Sequence, residues 1–225
     1  MLAKIVSETF NPEYFSVVTG AIPVATALLN EKFDHIIYTG GLVGARHVAL
    51  AAAKSLTPFT LELGGKNPCV VDCSAPPSKL EIYASRIMWG KFSNGGQFCV
   101  GSDHVILVGT PEQEEKFLAL AKNAATTMTS GGDMARIVND AHFGRLSDLL
   151  SATKGQLVHG GDLNADDRKI GLTIVKDVGP EDSLMSDEIF GPLLPVLRVA
   201  SLDDAVKLIR QTDPPLALYT GLKAR

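Results

Sequence analysis

The chain has 225 residues, with 21 Lys and Arg against 25 Asp and Glu for a net charge of −4, and 45% of it is hydrophobic. That balance gives no reason to expect nucleic acid or an anionic membrane as partner, and no apolar run approaches the roughly 18 residues a membrane span requires. Three cysteines, an odd number without a secretory leader, point to free thiols in a reducing, cytoplasmic setting.

The length suffices for one or two domains, and the elements alternate as in an α/β protein. A short helical start is followed by a strand at residues 14–18, and Pro23 opens a helix reaching residue 29. A strand at residues 35–38 runs into Thr39-Gly40-Gly41, and an alanine-rich helix fills residues 43–55. Strand, glycine turn and helix together present backbone N–H groups to a phosphate. By itself the turn is weak, because Gly-Gly-x-x-Gly is not the dinucleotide fingerprint.

Residues 57–63 alternate and read as a strand with Glu62 near its end and Gly64-Gly65 as the turn. A second apolar strand covers residues 67–72 and holds Cys69, with Cys73 just beyond. Four-residue spacing of two cysteines suits a metal, but no second pair of Cys or His lies nearby, so a structural role is the better reading. Ser78-x-x-Glu81 reads as a capping box for a helix to about residue 92, with Leu80, Tyr83, Ile87 and Met88 on one face. That helix delivers Asn94-Gly95-Gly96-Gln97-Phe98-Cys99.

A thiolate is a strong nucleophile even when only a small fraction of the thiol is ionised, and a separate carboxylate can serve as base. Cys99 and Glu62 therefore form a candidate pair. The bland alternative makes Cys99 a small buried hydrophobe and Glu62 a surface residue. Further on, a strand at 105–108 precedes a helix capped by Thr110-Pro111, and a polar glycine loop occupies 126–133. His142 reads as structural. Strands at 157–159 and 170–175 flank a polar loop at 162–168. Asp187-Glu188-Ile189-Phe190-Gly191-Pro192 leads into a strand at 194–199, and Ser201-x-x-Asp204 caps a last helix through about residue 209.

Three of these blocks, in this order, resemble the aldehyde dehydrogenase superfamily. They are Glu62-Leu63-Gly64-Gly65-Lys66, Asn94-Gly95-Gly96-Gln97-Phe98-Cys99 and Asp187 to Pro192. Phrases such as Phe33-Asp34-His35-Ile36-Ile37-Tyr38-Thr39-Gly40 and Met88-Trp89-Gly90-Lys91-Phe92 are most similar to the class 3 branch, which acts on fatty and aromatic aldehydes. The resemblance implies a partial Rossmann-like cofactor domain over residues 1–62 and the family's α/β catalytic domain over 63–225, truncated at both ends.

It also implies aldehyde oxidation to a carboxylic acid with NAD or NADP. Cys99 is then the nucleophile, carrying a thiohemiacetal and then a thioester, and Glu62 is the base for deacylation. Gly40, Gly41, Ala45 and Leu63 line the cofactor, Glu188 holds the nicotinamide ribose hydroxyls, and Phe190 stands against the nicotinamide side. The family's turn usually carries serine where Gly41 stands and glycine where Ala45 stands. No metal is implied. The full-length parent is expected to be a homodimer.

The resemblance covers the middle of the family, without the upstream asparagine that completes the oxyanion hole and without the downstream oligomerisation strand. Little activity is expected of such a chain alone. Two alternatives stay open: a CoA-acylating aldehyde dehydrogenase, which Glu62 argues against, and a catalytically silent assembly or binding module.

Overall fold

The computed structural model describes residues 1–131 and 134–222, and the chain divides into two compact units that meet in sequence at Leu63 and Gly64. The first unit contains α1 (Leu2–Thr9), α2 (Ile22–Leu28), β1 (Ile36–Gly40), α3 (Leu42–Ser55) and β2 (Phe59–Leu63). β1 and β2 pair in parallel, with Thr39 opposite Glu62 and Gly40 opposite Leu63. Ala45, Val48 and Ala52 are buried at a spacing of three and four, the inward stripe of α3. Residues 14–18 are not the expected strand. They form turn and irregular backbone with Val17 and Val18 exposed, and among the described residues no strand offers them a ladder.

The second unit holds β3 (Pro68–Asp72), α4 (Pro77–Phe92), β4 (His104–Val108), α5 (Pro111–Thr129) and α6 (Asp140–Ala152). After these come β5 (Gln156–His159), β6 (Leu163–Asn164), β7 (Lys169–Ile170), β8 (Thr173–Lys176), β9 (Leu193–Val199), α7 (Leu202–Ile209) and β10 (Tyr219–Gly221). The main sheet runs β10-β3-β4-β9-β8-β5, parallel except where β5 meets β8.

Its central strands are near-continuous apolar runs because both faces are covered. Val71, Val105 and Leu107 cluster with Leu80, Ala84, Ile87 and Met88 of α4 and Phe117, Leu118 and Ala121 of α5. Val70 and Ile106, one residue out of phase, pack instead with Ala205 of α7. A second cluster gathers Ile137, Leu146, Ile170, Leu184, Ile189 and Leu193 around the approach to β9.

Several expectations need correction. The Ser78/Glu81 capping box does not form: α4 starts at Pro77, with Pro76 as N-cap and no side-chain cap bond, because the two prolines already set its first turn. The buried stripe of α4 is Leu80, Ala84, Ile87, Met88 and Lys91, with Tyr83 half-buried and Trp89 61% exposed. The polar loop begins later than expected, since α5 continues to Thr129, and residues 132 and 133 of it lie outside the described residues. The polar stretch at 162–168 contains β6, which pairs antiparallel with β7. Thr110 does build a capping box with Gln113, and Ser201 accepts from Asp204 N at 3.2 Å.

Candidate active site

Beyond α4 the chain turns through Ser93–Gly96, where Asn94, Gly95 and Gly96 have φ of 50°, 62° and 70°. A side chain at Gly96 is excluded twice, by that left-handed backbone and by Gly191 O, which would lie 2.3 Å from its Cβ. The turn is thereby pressed against the backbone that opens β9. Gln97 follows, its Nε2 donating to Asn94 O at 2.8 Å and Arg136 O at 3.1 Å, while Oε1 accepts from Val138 N at 3.0 Å.

Cys99 comes next and is exposed. Behind it the buried Asn67 donates from Nδ2 to Cys99 O at 2.7 Å and Gly101 O at 3.0 Å, and its Oδ1 accepts from Ala217 N at 2.9 Å. The other two thiols are buried. Burial pushes Cys69 up to about 12 and Cys73 up to about 11, so both stay protonated and poorly nucleophilic at neutral pH.

The third block is gripped by its backbone. Arg145 donates from Nη2 to Ile189 O at 2.6 Å and from Nη1 to Glu188 O at 3.3 Å. Asp103 Oδ1 accepts from Ile189 N at 2.8 Å, and Lys91 Nζ donates to Gly191 O at 3.3 Å. Ile189 is fully buried, which leaves Glu188 and Phe190 on its flanks as half-buried side chains. Phe190 takes a left-handed φ of 49°, unusual for an aromatic residue. The Glu188 carboxyl is pushed above its ordinary range by burial, against a lowering hydrogen bond from the Gly65 N–H.

Beneath both segments lies a buried set of charges. Lys66 forms an ion pair with Asp103 and donates to Leu184 O at 2.6 Å. Burial first, and Lys66 after it, lower Lys91 to about 8 and His104 to about 4, so His104 is neutral.

In the first unit, Gly40 ends β1 and Gly41 is the N-cap of α3 without any side-chain cap bond. Nothing lies within 4 Å of a Cβ built on Gly41, so the position has room for the family's serine. Ala45 is 2% exposed and belongs to the inward stripe of α3. Tyr38 packs against the turn, its Oη 3.4 Å from Gly41 O. Glu62 is exposed on β2 and Leu63 is that strand's last residue. Within each unit the structure thus groups Gly40, Gly41 and Leu63, and separately sets Glu188 beside the Gly64-Gly65 turn, with Phe190 two residues further along the chain.

Reading residues alone missed Asn67, Lys91, Asp103 and Arg145. Two of them left a signal. Lys91 falls on the apolar stripe of α4, eleven residues after Leu80, and Asn67 directly follows the Glu-Leu-Gly-Gly-Lys block. Arg145 left none, since its partners are backbone carbonyls 43 and 44 residues away, and Asp103 little, since it joins Lys66 and the Ile189 N–H across long stretches of chain.

The model of the aldehyde dehydrogenase family matches residues 1–219. The chain is 41% identical over 222 residues to the mouse "Aldehyde dehydrogenase, dimeric NADP-preferring", covering 97% of this chain and 48% of that protein. It is 37% identical to mouse "Aldehyde dehydrogenase family 3 member A2", covering 97% and 45%. Among solved structures, Staphylococcus aureus AldH in a substrate-bound state superposes with a TM-score of 0.92 at 33% identity, over 100% of this chain and 49% of that one. The chain spans about half the length of the relatives it matches. With the family's model matched from the first residue to the last described strand, this chain belongs to the aldehyde dehydrogenase family.

Proposed function

We propose that this chain carries the thiol chemistry of an NAD(P)-dependent aldehyde dehydrogenase. The Cys99 thiolate adds to the aldehyde carbon, forming a C–S bond while the carbonyl electrons move to oxygen. The backbone N–H of Cys99 serves as a donor to that oxyanion. NAD or NADP, when bound, supplies the acceptor for the aldehyde's hydrogen and its electron pair. What remains on Cys99 is a thioester. Glu62 takes a proton from the water that attacks it, the C–S bond breaks, and a carboxylic acid leaves.

The residues fit the cofactor unit by unit. In the first, the turn Gly40-Gly41 leads into α3, whose first-turn N–H groups have no side-chain cap and suit a pyrophosphate, with Ala45 and Leu63 behind. In the second, Glu188 spends one bond on Gly65 and keeps acceptor capacity for two ribose hydroxyls, with Phe190 set against the nicotinamide side. A homodimeric parent belongs to the reading, supported by the word "dimeric" in the mouse relative's name. So does a cytoplasmic setting, supported by three free cysteines. Among the described residues no helix is long and apolar enough to cross a membrane.

The observation that carries the proposal is the contrast between one exposed thiol on a glycine turn and two buried, protonated ones. Iodoacetamide labelling read by mass spectrometry, with and without NAD, tests it. Fast modification confined to Cys99, and altered by NAD, is the expected result. Equal labelling of Cys69, Cys73 and Cys99 would overturn it. In the full-length parent, conversion of benzaldehyde to benzoate without CoA, abolished by Cys99→Ser, identifies water as the acyl acceptor.

A further inference from the structure

Two carboxamides hold the backbone on either side of Cys99. Gln97, two residues before it, uses both ends of its amide on Asn94 O, Arg136 O and Val138 N. Asn67, just before β3, uses both ends of its own on Cys99 O, Gly101 O and Ala217 N. Each amide donates two hydrogen bonds to carbonyls and accepts one from an N–H, so neither can flip without placing like groups together. Neither amide bonds to the Cys99 side chain. Gln97 fixes the backbone that enters Cys99, and Asn67 fixes the carbonyl that leaves it, so the two set the direction of both the thiol and the Cys99 N–H.

We infer that Asn67 and Gln97 are positioning residues for the Cys99 nucleophile. This rests on the reading of Cys99 given above. Attack on a carbonyl needs the sulfur and an oxyanion donor held in one geometry, and a displacement near 1 Å can cost about 10²-fold. Simple alkylation needs only an accessible thiolate. The two demands separate positioning from folding.

The test compares two reagents on the 225-residue chain and on Asn67→Ala and Gln97→Ala variants. With 4-nitrophenyl acetate the Cys99 thiolate forms a C–S bond to the acyl carbon, the C–O bond to the aryl group breaks, and 4-nitrophenolate leaves with the electron pair. Both the released phenolate and the acetylated peptide are measured. With iodoacetamide only accessible thiolate is counted. In the variants, acylation of Cys99 is expected to fall about tenfold to a hundredfold, while alkylation changes by less than about threefold and buried Cys69 and Cys73 stay unlabelled.

Acylation at the unmodified rate in either variant would overturn the inference for that residue. Should Asn67→Ala expose Cys69 and Cys73, the half-buried Gln97 decides through its own variant. If both variants expose them, the residues are merely structural and the inference falls. A parent chain whose Cys99 acylates no faster than in urea would instead remove the nucleophile reading itself, a distinct result.

Discussion

The Glu188 carboxylate rests on Gly64: a Cβ built there would stand 2.1 Å from Oε1 and 2.7 Å from Cδ. The neighbour is the far end of a flexible side chain, so alanine at this position moves the carboxylate rather than the fold. Gly64→Ala is therefore expected to leave the melting temperature nearly unchanged while weakening NAD(P) binding about tenfold to a hundredfold, the value of hydrogen bonds to a charged acceptor. Isothermal titration checks it. Unchanged affinity would mean that Glu188 does not hold the cofactor.

Lys66 and Asp103 couple the two halves of the site, with side chains 8% and 3% exposed. Asp103 follows the Cys99 turn and takes the Ile189 N–H, and Lys66 reaches Leu184 O. Lys66→Met strands a buried carboxylate and should cost about 3–5 kcal/mol in urea denaturation. Adding Asp103→Leu should recover only part of that, because the uncompensated charge goes but the Ile189 N–H then loses its acceptor. A single variant as stable as the parent would show that the pair is relaxed by water.

What the sequence made legible follows from how local each signal is. Thr110 and Ser201 cap helices through bonds to residues three positions on, so four letters suffice to find them. The three blocks around Glu62, Cys99 and Glu188 are contiguous, so the family resemblance rested on them. The Ser78 box failed because Pro76 and Pro77 shift the helix start by two residues. The strand at 14–18 failed because β-branched letters need a partner strand, and composition does not report one. Arg145 was invisible for the opposite reason: it acts on main-chain atoms, which leave no complementary letter at position 188 or 189, while the complement of Asp103, Lys66, lies 37 residues away.

Arg145 makes a prediction of its own. Its fork reaches two successive carbonyls, Glu188 O and Ile189 O, a geometry that a single ammonium does not reproduce. Arg145→Lys should keep the charge yet loosen this segment. Amide exchange of Ile189 is expected to speed up about tenfold, the equivalent of one net hydrogen bond near 1.4 kcal/mol. Exchange at the parent rate would assign the rigidity of the block to Asp103 and Lys91 instead.

Lys91 gives a pH dependence with a definite sign. Lys91 is 2% exposed, and burial together with Lys66 lowers it to about 8 from an ordinary 10.5, against Asp103 and Glu188, which raise it. Between those values the unfolded chain binds the proton that the folded chain has lost. Stability due to this group therefore rises as pH goes from 8 to 10.5, by about 3 kcal/mol in all. Cys69 and Cys73 work the other way: their folded values of about 12 and 11 exceed the ordinary 9.0, so their contribution declines above pH 9. Lys91→Met keeps both thiols, so the difference between parent and variant isolates the lysine. The variant should be the more stable protein near pH 7 and lose most of that advantage by pH 10.5 in urea titrations. A difference that stays flat across the range would mean Lys91 keeps its proton in the fold, held there by Asp103 and Glu188.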